Sequence, residues 1–483
     1  MPALPAPTPI TGRLRRGAML LAIGGLAASL LAPAPAGART LPCITQLDGR
    51  CEAWAFAYDG AAQKDDVSRS VAVSAAGDRT YTAGFTTEAD GSMRILVVGI
   101  DAATGQTRWT RTFGRAEDQY DSPEAVAVSP DGSRVFEAGS LCGSVSDGSS
   151  CDFQVAALDA TDGHTMWDLV LDPAQGLDSA TDVAASPDGP SVLVTGQASF
   201  DGETGTDYLT MSLDADTGEE RWSGRYDGPA HGADRASAMV VDGAGGTVLV
   251  TGRSLGETAT DIATVAYDAD TGARRWVTRT GGGEGNAIAL GGGRVFVAGR
   301  RSAPAPALPV MVAAAYDAGS GQQLWAGSLS DSLYVGGFAT DVAAAPDGSR
   351  AYAAGFTYRT DGKGLTVVAF DGATGQRAWA SNMTNTAAWG LGVSPDGTRV
   401  YATGTSIETR DTEHLTIGYD AASGAVRWTG KYEETGPPTG LNSGLTTASF
   451  LAMSPDGTHV YVSGMQRPAL GASYDALTLA YQA

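Results

Sequence analysis

The stretch DADTGEERW, residues 214–222, recurs with small changes along the chain. The other copies are DAATGQTRW (101–109), DATDGHTMW (159–167), DADTGARRW (268–276), DAGSGQQLW (317–325), DGATGQRAW (371–379) and DAASGAVRW (420–428), each with Trp eight residues after Asp. Successive tryptophans lie 58, 55, 54, 49, 54 and 49 residues apart. A motif held at such a period marks a repeat architecture. The residue types suit a turn: Asp accepts backbone N–H groups, and Gly takes a left-handed conformation. Trp then supplies about 200 Å2 of surface to bury. The nonamer reads as a structural device rather than a catalytic one.

A second series interleaves with the first: VAVSPDGSRVFEAG (126–139), AASPDGPSVLVTG (184–196), AAAPDGSRAYAAG (343–355), GVSPDGTRVYATG (392–404) and AMSPDGTHVYVSG (452–464). Looser versions are AVSAAGDRTYTAG (72–84), VVDGAGGTVLVTG (240–252) and IALGGGRVFVAG (288–299). Pro presets φ and Asp-Gly closes the turn, so each is a hairpin of two strands rich in Val, Tyr, Phe and Thr. A third strand, such as DYLTMSLD (207–214), runs into the Asp-to-Gly turn, and the strand that follows carries the Trp. Four antiparallel strands per repeat make one propeller blade. Outside the N-terminus no convincing helical periodicity is found.

Eight hairpins but seven Asp-to-Trp turns leave one repeat incomplete. The chain ends in SYDALTLAYQA (473–483), a third strand without a turn, and CEAWAFAYDG (51–60) near the start supplies a spare fourth strand with Trp54. The expected fold is therefore all-β: an eight-bladed β-propeller of four-stranded antiparallel blades, closed by pairing the Trp54 strand with the C-terminal strands. Closure leaves no open sheet edge.

Residues 1–38 read as an export signal. Arg13, Arg15 and Arg16 precede the apolar run 18–32, and Ala36-Gly37-Ala38 supplies a small-residue cleavage site. Residues 39–50 form a lead-in, and 51–483 one domain. No later run is apolar enough to span a bilayer. The net charge is −22, and −25 once a signal with three Arg and no acid is removed. That excludes nucleic acid as a partner, because its binding relies on clustered Lys and Arg. The expected product is a secreted or periplasmic monomer. Its cysteines, Cys43, Cys51, Cys142 and Cys151, allow three pairings. Local pairing, Cys43–Cys51 and Cys142–Cys151, is preferred because each pair brackets a short Gly, Ser and Asp-rich loop.

The Asp-x-x-x-Gly-x-x-x-Trp turn resembles the repeat of the pyrroloquinoline quinone (PQQ) propellers, the eight-bladed quinoprotein dehydrogenases and their non-catalytic relatives. The Ser-Pro-Asp-Gly hairpins also resemble those of lactonase-type and surface-layer propellers. The resemblance covers 51–483. It implies, for the catalytic members, PQQ and a calcium ion over the ring's centre, and often a disulfide between adjacent cysteines. This chain has no Cys-Cys pair, and no calcium ligand or catalytic Asp matches residue by residue.

Aligning the repeats isolates one acidic position, eight residues before the hairpin's Ser or its equivalent: Asp66, Asp121, Asp178 and Asp234, then Gly337, Thr386 and Thr446. It lies where the chain enters the innermost strand. Four carboxylates on one half of a rim suit a hard cation such as Ca2+; alternatively each caps its own loop. A second set, Asp152, Asp207, Asp261, Glu413 and Asp475, precedes the third strands. Of the four histidines, His164 and His459 read as exposed, His414 adjoins Glu413, and His231 stands near Asp234. Trp389 lies outside the turn series and is placed near the channel, available to stack on a flat ligand or to pack in the core. The repeat absorbs nearly every recognisable motif, and no nucleophile set is left over. The expected function is a non-catalytic scaffold with no established cofactor, binding a protein or small molecule at the channel-mouth face. The alternatives are a PQQ- and calcium-dependent dehydrogenase and a lactonase-like metal hydrolase on the acidic rim.

Overall fold

The computed structural model describes residues 52–483 except 116–119, 144–150, 173–175, 201–204, 244–245, 303–306, 331, 409–410, 433–445 and 468–471. The export signal, the lead-in, and the Cys43–Cys51 pairing lie outside the described residues. Regular structure among those described is entirely β-strand.

One repeat shows the rule. Strand Ser179–Ala185 pairs with Ser191–Ser199, that strand with Thr206–Asp214, and that in turn with Glu220–Tyr226, all antiparallel. Seven repeats follow this order, the first two being joined by a single parallel bridge, Met93 to Tyr120. The last sheet takes three strands from the chain's end and its fourth, Glu52–Tyr58, from the start. There Trp54 sits opposite Ala480 and Ala57 opposite Leu477, the pairing the sequence expects. The first strand of each sheet packs beside the first strand of the next, and Thr446–Met453 packs beside both Thr386–Val393 and Asp66–Val73.

The middle strands of each sheet are buried on both faces, as in Met93–Asp101 and Thr206–Asp214, because neighbouring sheets cover them. That is why they read as near-continuous apolar runs. The fourth strands are outermost and more exposed, alternating in Glu220–Tyr226. Between sheets lie the turn tryptophans. Each indole N–H donates to the carbonyl just after the turn Asp of the following repeat: Trp109 to Ala160 (3.1 Å), Trp222 to Ala269 (2.8 Å), Trp325 to Gly372 (3.0 Å). The indole face rests on that turn's Gly. A Cβ added at Gly321, where φ is +71°, would lie 2.4 Å from the Trp276 ring. The turn Asp bonds as expected, Asp214 accepting the N–H groups of Asp216 and Thr217 at 3.0 and 3.1 Å. Trp54 docks the same way onto the first repeat, at Ala102 (2.8 Å) and Gly105. Trp428 is the exception. The sheet it faces lacks the turn, and its buried N–H has no acceptor among the described residues.

The disulfide Cys142–Cys151 joins the facing ends of two strands in the second repeat.

Candidate functional site

Every first strand carries a register irregularity at an equivalent place, between residues 68 and 70, 123 and 125, 180 and 182, 236 and 238, 285 and 287, 339 and 341, 388 and 390, and 448 and 451. A bulge re-aims one side chain out of the ladder. The residues set apart in this way are Arg69, Glu124, Thr181, Ser237, Asn286, Thr340 and Trp389, with residues 449–450 in the last strand. All eight first strands contribute to one cavity of about 630 Å3.

Much of the polar equipment of this belt stitches neighbouring first strands together. Thr181 donates to the Ala236 carbonyl (3.1 Å), Asn286 to Ala339 (2.7 Å) and Thr340 to Ala388 (3.2 Å). Arg69 pairs with Glu124 at 2.7 Å. Asp182 accepts N–H bonds from Val183 and, across the joint, from Met239, both at 2.8 Å. Asp341 repeats the arrangement with Val342 and Leu391, both at 2.7 Å. Sequence reading passed over this pair, although a signal existed: ATDVAA stands at 180–185 and again at 339–344. Trp389 lines the cavity and is 44% exposed; beside it on the next first strand Phe450 is 48% exposed.

The rim carboxylates Asp66, Asp121, Asp178 and Asp234 are all fully buried. Asp66 accepts the Gly60 N–H (2.6 Å) and Asp234 the Gly228 N–H (2.6 Å), so each holds the loop that precedes it. Three of them also clamp the end of the second strand, through the N–H groups of Thr87 (3.3 Å), Ser199 (2.6 Å) and Leu255 (2.7 Å). Asp121 instead meets Arg94 at 3.3 Å. The geometry directs Asp66, Asp178 and Asp234 at nearby backbone and Asp121 at Arg94. Of the four, Asp234 stands in an acidic group, with Asp207 and Asp227, and Arg225 bridges the latter two. In the second acidic set, Asp261 meets Arg279 (2.8 Å) and Glu413 meets Lys431 (3.0 Å), bases on the fourth strands of their own sheets, whereas Asp152 meets Arg115 (3.2 Å), which follows the fourth strand of the preceding repeat. His231 is exposed and bonds Asp227 (2.6 Å) rather than Asp234. His414 is fully buried.

Burial raises five of these carboxyls: Asp66, Asp182 and Asp207 to about 6, Asp178 and Asp341 to about 7. The native chain thus keeps protons that the unfolded chain releases near pH 4, and stability falls as pH rises from about 4 towards 7. His414 works the other way. Burial lowers it to about 3, so stability falls as pH drops below its unfolded value of about 6.5. Five groups outweigh one. The melting temperature is expected to rise as pH is lowered from 8 to about 5; a flat or rising profile towards pH 8 in a thermal-shift series would contradict the assignment.

The family described as outer membrane protein assembly factor BamB, a PQQ-type repeat family, matches residues 151–360 and 363–463. No curated protein matches the chain by sequence. Among solved structures of similar fold is Chaetomium thermophilum Sqt1 bound to the N-terminus of ribosomal protein L10, at 14% identity and TM-score 0.56, covering 88% of this chain and 98% of that one. The Dos1 propeller aligns at 11% identity and TM-score 0.55, covering 87% and 92%. The C-terminal WD40 domain of Sif2 aligns at 11% identity and TM-score 0.51, covering 86% and 96%. These likenesses establish an all-β propeller of four-stranded antiparallel sheets.

Proposed function

Because the chain belongs to the PQQ-like β-propeller family that includes the outer membrane protein assembly factor BamB, we propose that it is an exported, non-catalytic binding scaffold. In this reading 51–483 form one closed ring of eight blades that holds a small molecule or protein segment at the central cavity. The shared last sheet and the contribution of all eight first strands to one cavity support the ring. The Cys142–Cys151 disulfide supports an oxidising compartment, in keeping with the signal-like residues 1–38. A monomer suffices, since first and last strands pair within the chain.

One observation carries the binding reading. Trp389 and Phe450 stay open to the cavity, while backbone N–H groups fix the orientation of Asp182 and Asp341 and Arg69 pairs with Glu124. The quinone of the catalytic relatives is a flat tricarboxylate. The described residues lining the cavity include Glu124, Asp182 and Asp341, and the one base beside them, Arg69, is taken up by Glu124, so they do not fit that anion. Adding PQQ with Ca2+ is expected to leave the melting temperature unchanged. A large calcium-dependent shift with quinone absorbance and dye-linked oxidation of alcohols or sugars would establish the dehydrogenase instead. For the metal-hydrolase reading, Asp121→Asn and Asp178→Asn must abolish a Ca2+-dependent shift; here they alter loop order alone.

A further inference from the structure

We propose that the central cavity binds a small organic cation, with its charge held between Asp182 and Asp341 and its apolar body laid on Trp389 and Phe450. This rests on reading the cavity as a binding site and names its ligand class. The two acids are placed by the same hexapeptide in the third and sixth repeats. Each carboxylate is fixed by two N–H bonds, one from its own strand and one from the next. Both line the same cavity, where a bound positive charge would favour their ionised forms. Glu124 also lines the cavity, but its charge is balanced by Arg69, which leaves the two aspartates as the acids for the ligand.

The aromatic wall adjoins the acids. Thr340 bonds the carbonyl of Ala388, and Asp341 the N–H of Leu391, so these two contacts bracket Trp389. Gly390 packs against Leu451, which brings Phe450 alongside. The turn tryptophans are docked between sheets; Trp389 is left with an open face, suited to a cation–π contact. Val126, Met239, Ile288 and Met465 supply the apolar remainder. A volume of about 630 Å3 is ordinary for a small-molecule site.

The test uses the full chain and three probes of similar size: benzyltrimethylammonium, benzyl alcohol and phenylacetate. Calorimetry and indole fluorescence should show saturable binding of the cation, with the other two weaker by about tenfold or more. Trp389→Leu should abolish the fluorescence response and weaken cation binding about tenfold. Asp341→Asn should weaken the cation selectively. That variant also disturbs a strand-to-strand bond, so Trp389→Leu, which alters an exposed side chain, decides the matter if Asp341→Asn does not fold. Phenylacetate or benzyl alcohol binding as tightly as the cation would overturn the ligand class and leave the cavity reading standing. Saturable binding of none of the three would overturn both.

Discussion

Gly321→Ala is expected to destabilise the protein by about 3–5 kcal/mol, the sum of a backbone and a packing cost. Its φ of +71° belongs to the region that a Cβ disfavours, and the added methyl would enter the Trp276 ring at 2.4 Å. Moving that ring breaks the 3.1 Å bond from its N–H to Ala318, leaving a half-buried donor without that partner. Gly293→Ala separates the two costs. Gly293 has nearly the same φ, +73°, but nothing lies within 4 Å of its added Cβ, so only the backbone term of about 1–2 kcal/mol applies. Urea unfolding of both variants measures the difference. Equal losses would show that the indole-on-glycine contact contributes nothing.

Glu137→Val is expected to raise stability by about 2 kcal/mol at pH 8, as burying an unpaired polar group costs about this much. Glu137 occupies a second-strand position that holds Val194, Val250, Val297 and Val462 in other repeats. It is fully buried, neither carboxyl oxygen meets an ordinary hydrogen-bond geometry, and the nearby Gln154 amide is given to Asp168 at 3.1 Å. Burial, aided by the charge of Asp168, pushes its carboxyl well above the usual range. The native chain therefore keeps this proton, and wild-type stability declines as pH rises past the unfolded value of about 4.3. The gain from Val should grow with pH over that interval. Chemical unfolding at pH 5 and pH 8 tests it; a loss of stability at both would mean that the carboxyl has a supporting role.

The features that could be read from the sequence are those written within one repeat. The Asp-to-Trp turn, the Pro-Asp-Gly hairpins and the spare strand of Trp54 each announce themselves in a few neighbouring residues. The features that escaped arise between repeats. The acceptor of the Trp222 N–H is Ala269, in the following repeat. The partner of Asp152 is Arg115, which follows the fourth strand of the preceding repeat. The bulges depend on register between strands, which no single strand encodes. For that reason Asp182 and Asp341, with ordinary neighbours in sequence, were overlooked, while Trp389 drew notice because it stands outside the periodic series. The rim acids were visible as a repeated position, but their targets, backbone N–H groups at the end of a neighbouring strand, were not.

The strand that holds Trp54 is synthesised long before its partner Asp475–Gln482. Until that partner is made, Trp54 and Phe56, both buried in the finished protein, have only the first repeat to cover them, and the side that Tyr461, Ala476 and Ala480 later fill stays open. Nascent chains must therefore carry an adhesive leading segment through the whole of translation. The corresponding segment of a second nascent copy is chemically identical, so crowded folding favours exchange of this strand between copies. Slow production or dilute refolding should then yield more monomers, and strand-exchanged dimers should accumulate when folding chains are abundant.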